Sequence, residues 1–194
     1  MNIFLHSIPQ IAENWDKIKH LFKAETISAK TVLLRQGEVS TRIFFIVSGI
    51  LRLYYVDKDG KDVSFQFFFE NQLVSSFESF YLEKESKFYI ESLEETKLLS
   101  ISKTDFESLL KEIPQLQRFV TEFVCDRFFN YTNIFLSQIK SSPEERYLEL
   151  IKDDPQILER VPHHYIASYL GITPVSLSRI RNRITKNISP INKC

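Results

Sequence analysis

The stretch HHYIASYLGITPVSLSRIRNRI, from His163 to Ile184, constrains this chain most. Ile166, Ala167 and Leu170 recur at helical spacing, Gly171 interrupts, and Leu177, Ile180 and Ile184 resume the pattern. The spacing predicts two short helices around a tight turn. Ala167 is small where two helices must cross closely, and Gly171 can take the positive φ of a sharp helix–helix turn. Thr173 is a good N-cap, and Pro174 then falls at the first helical position, where a missing N–H costs nothing. A small residue, a four-residue gap to Gly and apolar residues after it form the pattern of a DNA-binding helix-turn-helix.

Any helical hairpin can bury an apolar stripe with a Gly between its helices, so charge has to decide. Between Pro162 and Cys194 there is no Asp or Glu, while Arg179, Arg181, Arg183, Lys186 and Lys193 are basic. An acid-free stretch with Arg on the exposed side of its second helix is an electrostatic footprint for phosphate. The candidate DNA contacts are His164, Thr173, Pro174, Val175, Ser176, Ser178, Arg179, Asn182 and Arg183. The His163-His164 pair has no acidic or cysteine partner nearby in sequence, which favours a neighbour of phosphate over a metal ligand set. No metal site is expected.

Over all 194 residues the formal net charge is zero, so the positive charge is concentrated at one end, as in a reader attached to something else. Cys125 and Cys194 have neither disulfide-framework nor metal-ligand spacing, and a cysteine-held iron–sulfur cluster needs about four thiolates. The start, MNIFLHSIPQIAENW, lacks a charged region followed by a sustained apolar one, and no apolar run approaches the ~20 residues that span a bilayer. A cytoplasmic protein with no membrane partner is expected.

The rest of the chain reads in three textures. Residues 3–23 carry Ile3, Leu5, Ile8, Ile11, Trp15, Ile18, Leu21 and Phe22 at helical spacing, divided by Pro9, which predicts one or two short helices. From Ala24 to Ser100, short runs rich in Val, Ile, Phe, Tyr and Thr alternate with turn signals at Gly37-Glu38, Ser48-Gly49 and Asp57–Gly60. Strands about ten residues apart with no helical pattern between them argue an antiparallel barrel or jelly roll. Runs such as Ile43 to Val47 do not alternate, so both faces of some strands are covered, as in a β-roll with helices packed against it.

After Phe106 the helical period returns. Thr104-Asp105 can cap a short helix ending near Ile113. From Pro114, apolar residues recur at steps of three and four through Leu116, Phe119, Val120, Phe123, Val124, Phe128, Tyr131, Ile134, Phe135 and Ile139. About 25 residues at 1.5 Å each is ~38 Å, longer than a domain of this size needs internally. Either one face covers the barrel and another meets a partner helix in a symmetric dimer, or the helix belongs to the core of a monomer. Ser142-Pro143-Glu144-Glu145 combines an N-cap, Pro at the first helical position and two first-turn acids. The helix it starts is expected to bury Tyr147, Leu148, Leu150 and Ile151 and to end at Asp153-Asp154-Pro155.

Taken together, these features resemble the cyclic-AMP receptor/Fnr (Crp/Fnr) family of bacterial transcription regulators over essentially the whole chain. Gly37 in RQGE, Gly49 in VSGILRLYY and Gly60 in KDGK sit where that family places β-roll turn glycines. SSPEERYLELI resembles its lead-in to the DNA-binding domain, ITPVSLSRIR resembles its recognition helix, and the closing NKC looks like regulators of the Bacteroidetes branch. The resemblance implies an α+β chain. It has an N-terminal antiparallel β-roll of the cyclic-nucleotide-binding type with flanking helices (1–113), a long dimerisation helix (114–140) and a C-terminal winged helix-turn-helix (141–194). It also implies a homodimer that binds double-stranded DNA, with RNA polymerase as a further partner and recognition helices in major grooves about 34 Å apart.

Family members that bind cyclic AMP use a cassette opening on Gly-Glu-Leu and closing on Arg-Ser or Arg-Thr. The equivalent stretch here, Leu73 to Phe88, has no Gly, and Ser86-Lys87 stands where the Arg pair belongs, so the nucleotide-binding domain looks degenerate. An Arg fork binds phosphate bidentately, whereas Lys offers a point charge. The resemblance marks Val74, Ser75, Ser76, Glu78, Ser86 and Lys87 as effector-facing, with Glu78 either a ribose-binding carboxylate or a solvated loop acid. Tyr131 and Thr132 align with hydroxyl residues that touch the nucleotide base. No cofactor is expected; the cue is left to an unidentified small effector rather than cyclic AMP. Carrying over the three base-reading positions gives Pro174, Val175 and Arg179, of which Arg179 alone keeps its chemistry and suits a paired contact to guanine. Val175 suits a thymine methyl. The competing function is a small-molecule-binding module whose helix-turn-helix serves protein contacts. An enzyme has little support, with no Gly-rich phosphate loop, nucleophile elbow or HExxH motif in the chain.

Overall fold

The computed structural model describes residues 8–188, with side chains described through Ile184. The chain divides into two compact units, Met1–Lys61 with Phe65–Arg127 and Asp62–Ser64 with Phe128–Cys194.

The first unit opens with α1 (Pro9–Ile18), started by Pro9 at its first position, and a single 3-10 turn over Lys19–Leu21. Helical spacing extends the sequence pattern to Phe22, but Phe22 begins β1 (Phe22–Ile27), where it pairs with Ile101 of β8. An apolar residue at a helix-compatible interval is claimed there by strand pairing. The remaining strands are β2 (Val32–Leu34), β3 (Arg42–Ser48), β4 (Leu51–Val56), β5 (Asp62–Phe68), β6 (Leu73–Val74), β7 (Tyr89–Ser92) and β8 (Thr96–Ser102). They form two four-stranded sheets, β1-β8-β3-β6 and β2-β7-β4-β5, with antiparallel pairing. A short helix, α2 (Phe77–Leu82), is inserted between β6 and β7.

The non-alternating run in β3 has a direct explanation. Phe44 and Ile46 point into the core between the sheets with Leu34, Leu51, Leu53, Phe68, Val74, Ile90 and Leu98. Phe45, between them, points the other way into a second core with Leu99, Ile101, Ile11 and Ile18. Leu109 of α3 (Lys103–Glu112) and Leu116 of α4 (Gln115–Lys140) complete that layer. Successive strand residues face opposite sides, and here both sides are covered. The expectation of a helix-covered roll is met.

Turn chemistry sets the crossings. Gly49 links β3 of one sheet to β4 of the other at φ +104, and its amide donates to Glu70 Oε1 at 2.8 Å. A Cβ there would meet Thr96 Oγ1, the Thr96 Cα and the Glu95 carbonyl oxygen at 2.4, 2.7 and 2.8 Å, so only Gly fits. The helix α3 is capped two residues earlier than Thr104, at Ser102. Ser102 Oγ accepts from the Asp105 amide at 3.1 Å and donates to the Asp105 carboxylate at 2.6 Å. Asp105 is therefore the third helical residue of the cap, not the cap itself.

The described elements of the second unit, apart from Asp62–Ser64, are all helices: the end of α4, then α5 (Pro143–Asp153), α6 (Ile157–Arg160), α7 (His163–Tyr169) and α8 (Pro174–Ile188). Ser142 and Glu145 form a reciprocal capping box, with the Glu145 amide to Ser142 Oγ at 3.3 Å and the Ser142 amide to Glu145 Oε2 at 2.7 Å. Tyr147, Ile157, Val161, Ile166, Ala167, Leu170, Leu177 and Ile180 are its buried apolar residues. Leu148, expected inside, is 42% exposed because Tyr147 takes the inward position of α5. No strand follows α8 among the described residues, and a wing at the C-terminus falls outside them.

Candidate functional site

The turn between α7 and α8 is built as its residues predict. Gly171 at φ +67 donates to the Ser168 carbonyl, and the next amide, Ile172, reaches back to the Ala167 carbonyl, both at 3.0 Å. This paired closure requires a left-handed residue after the helix end. Thr173 then caps α8, its hydroxyl oxygen accepting from the Ser176 amide at 3.1 Å and lying 2.9 Å from the Ser176 hydroxyl.

Helical geometry turns 100° per residue, so the buried Leu177 and Ile180 leave the opposite side to solvent. Val175, Ser178, Arg179 and Asn182 occupy that exposed face, with Val175 61% exposed and Pro174 beside it at the helix start. Arg179 has no hydrogen-bond or ion-pair partner among the described residues. His164, exposed at the start of α7, lies against Tyr165 with ring centroids 4.0 Å apart and planes tilted by 49°.

The other two arginines of α8 are engaged. Arg181, two residues and 200° from Arg179, lies on the buried flank, where its Nη1 contacts His163 Nδ1 at 3.0 Å and its guanidinium hydrogen-bonds the Tyr147 hydroxyl. Burial and, secondarily, the Arg181 charge push the His163 imidazole below its ordinary range. Arg183 Nη1 holds Glu144 Oε2 at 2.6 Å. Arg183, Thr173 and Ser176 are thus predicted contacts whose polar groups already have partners, while Arg181, Tyr147 and Glu144 enter the site unpredicted. The signal for Arg181 was available: a residue two positions from Arg179 cannot share its face.

The sensor segment is bonded to itself. Val74 is 1% exposed and belongs to the core between the sheets, paired across from Phe44. Ser75 Oγ bonds the Arg42 carbonyl and the Ser40 hydroxyl, each at 3.2 Å. Ser86 Oγ lies 2.8 Å from both Ser76 Oγ and the Phe88 carbonyl, so its one proton serves one of them, and it accepts from the Phe88 amide at 3.1 Å. Glu78 and Lys87 pair at the surface, at 2.8 Å, and the ammonium holds the Glu78 carboxyl below the usual range. Tyr131 and Thr132 belong to the second unit, and the Thr132 hydroxyl donates to the Phe128 carbonyl of its own helix at 2.9 Å.

Residues 24–113 match the family model of the cyclic nucleotide-binding domain. The β-roll has that fold. The whole chain is similar in structure to regulators from several bacteria. With the c-di-GMP-responsive global regulator of Xanthomonas campestris it shares 13% identity at a TM-score of 0.74, covering 91% of this chain and 92% of that one. A transcriptional regulator of the Crp/Fnr family from Eubacterium rectale matches at 16% identity and TM-score 0.70, covering 90% and 87%. The catabolite activator protein of Thermus thermophilus matches at 18% and 0.58, covering 93% and 88%. No curated protein sequence matches the chain. At these identities the likeness concerns the fold alone.

Residues 73–88 offer no Arg. The buried hydroxyls of Ser76 and Ser86 are satisfied by each other and by the Phe88 backbone, and Lys87 is 70% exposed and neutralised by Glu78. Among the described residues no helix is long and apolar enough to cross a membrane.

Proposed function

We propose that this chain is a homodimeric, sequence-specific DNA-binding regulator of transcription. The observation that carries the proposal is α8 itself. Leu177 and Ile180 anchor one side of it, and the other side offers Val175, Ser178, Arg179 and Asn182 with no acidic residue between Pro162 and Cys194. A capped, rigid helix with an unpaired Arg among small polar and apolar side chains has the chemistry to read base edges in a major groove. Arg179 would take guanine and Val175 a thymine methyl.

The dimer reading rests on α4. From Phe128 onward it exposes Phe128 at 66%, Phe129 at 60%, Phe135 at 65% and Ile139 at 66%. Phe128, Phe135 and Ile139 fall at steps of seven and four, which match seam positions of a two-helix coil with Thr132 between the first two, and monomers seldom leave such an apolar face in water. A second copy of the chain is the occupant. The operator would then be a pseudo-palindrome with half-sites one helical turn apart. The sensor role of the β-roll remains with a small effector other than a cyclic nucleotide, and RNA polymerase is the downstream partner implied by the fold.

Genomic footprinting together with salt-dependent duplex binding tests the main claim. Specific footprints and an affinity that falls steeply with salt are expected, since several phosphates must be neutralised. Salt-independent or absent binding would point instead to protein contacts through α8. Sedimentation of Phe135→Glu should give monomers where the unaltered chain gives dimers; an unchanged dimer removes α4 from the interface.

A further inference from the structure

The two acids that start α5 have separate jobs. Glu145, at the third helical position, is consumed by the capping box with Ser142. Glu144, at the second, takes no part in the cap and reaches Arg183 of α8, 39 residues on, with Nη1 and Oε2 2.6 Å apart. Its side chain is 30% exposed and that of Arg183 is 62% exposed. Glu144 also lies in the first turn of α5, at the positive end of that helix. The arginines of α8 are thereby sorted: Arg181 is held by His163 and Tyr147, Arg183 by Glu144, and Arg179 is unpaired among the described residues.

We infer that Glu144 is a brake on DNA affinity that acts by competing with phosphate for Arg183. The inference rests on the DNA-binding reading. Arg183 is 400° around the helix from Arg179, so within 40° of the same face, and a duplex seated on that face brings phosphates to it. Either Arg183 stays on Glu144 and contributes no counterion release, or it moves to phosphate and leaves a carboxylate facing a polyanion. Both outcomes weaken sequence-independent binding while leaving the contacts of Arg179 with bases untouched. A regulator that must find few sites among many random ones gains from weak non-specific binding.

The test uses the full chain and a random-sequence duplex, followed by anisotropy over a salt series. Glu144→Gln is expected to bind about three- to tenfold more tightly at low salt and to steepen the log–log salt slope by about 0.9, one additional phosphate contact. Glu144→Gln combined with Arg183→Gln should lose that gain, because no cation is left to release. Unaltered protein that binds while Glu144→Gln binds no more tightly, or more weakly, overturns the brake and makes Glu144 a residue that positions Arg183. Unaltered protein that binds no duplex at any salt overturns the DNA-binding reading and the brake with it.

Discussion

Arg52 and Glu91 lie directly opposite each other on β4 and β7 and form a buried ion pair, Nη2 to Oε1 at 2.6 Å and Nε to Oε1 at 2.9 Å. The Arg52 side chain is 1% exposed, and its guanidinium sits 4.0 Å over the Tyr54 ring, which stacks in turn on Tyr89. Removing one partner strands a charge away from water. Arg52→Met should therefore destabilise the roll by about 3–5 kcal/mol, whereas Arg52→Met with Glu91→Leu should recover most of the loss. Urea unfolding of both variants checks this; a single variant as stable as the parent would mean that water reaches the pair.

Gly49 and Gly171 both adopt positive φ but should respond differently to substitution. Gly171→Ala finds open space and carries only the cost of a left-handed Ala, about 1–2 kcal/mol. Gly49→Ala drives a methyl group into the Thr96 backbone and should exceed about 3 kcal/mol, with the pairing of β3 and β8 disturbed. Thermal unfolding ranks the two, and equal losses would contradict the contact geometry at Gly49.

Arg179 and Arg181 should separate function from folding. Arg179→Ala is expected to leave stability within about 0.5 kcal/mol, as for an exposed side chain, and to cost ~1–3 kcal/mol of discrimination at one operator position. Arg181→Ala should loosen the packing of α7 and α8 instead. Gel shifts on specific and random duplexes, paired with melting curves, tell the two apart. Equal losses of Arg179→Ala on both duplexes would reject base reading.

The His163 imidazole is held below its ordinary pKa, first by burial and then by Arg181. The unfolded chain binds this proton more readily than the folded one, so stability is present above the unfolded pKa. It falls as pH drops through the acid side of the imidazole range. An NMR titration should find the His163 midpoint below the ordinary imidazole value, and Arg181→Gln should move it upward. A midpoint insensitive to Arg181→Gln would show that the charge is not felt.

Local chemistry made much of this fold legible. The caps at Thr173 and Ser142, the first-position prolines of α5 and α8 and the turn at Gly171 involve residues within five positions of one another, so their spacing carries the information. The Ser102 cap was misread by two residues because Thr104-Asp105 offers the same chemistry next door. The exposed face of α8 followed from a 3.6-residue period. The sensor segment was harder: Val74, Ser75, Ser76 and Ser86 suit a ligand loop by residue type, but β6 pairing turns Val74 inward and the Ser76–Ser86 bond closes the polar groups on each other.

The order of elements, the helix-turn-helix and the absence of an arginine from the sensor segment were determined by the sequence alone, since each depends on residues that are neighbours in the chain. Tertiary structure decided which charges remain available. Arg181 with His163 and Tyr147, Arg183 with Glu144, and Arg52 with Glu91 are pairs separated by 18 to 39 residues. No periodicity records such a pairing, because it exists only once packing has brought distant surfaces within the reach of a hydrogen bond.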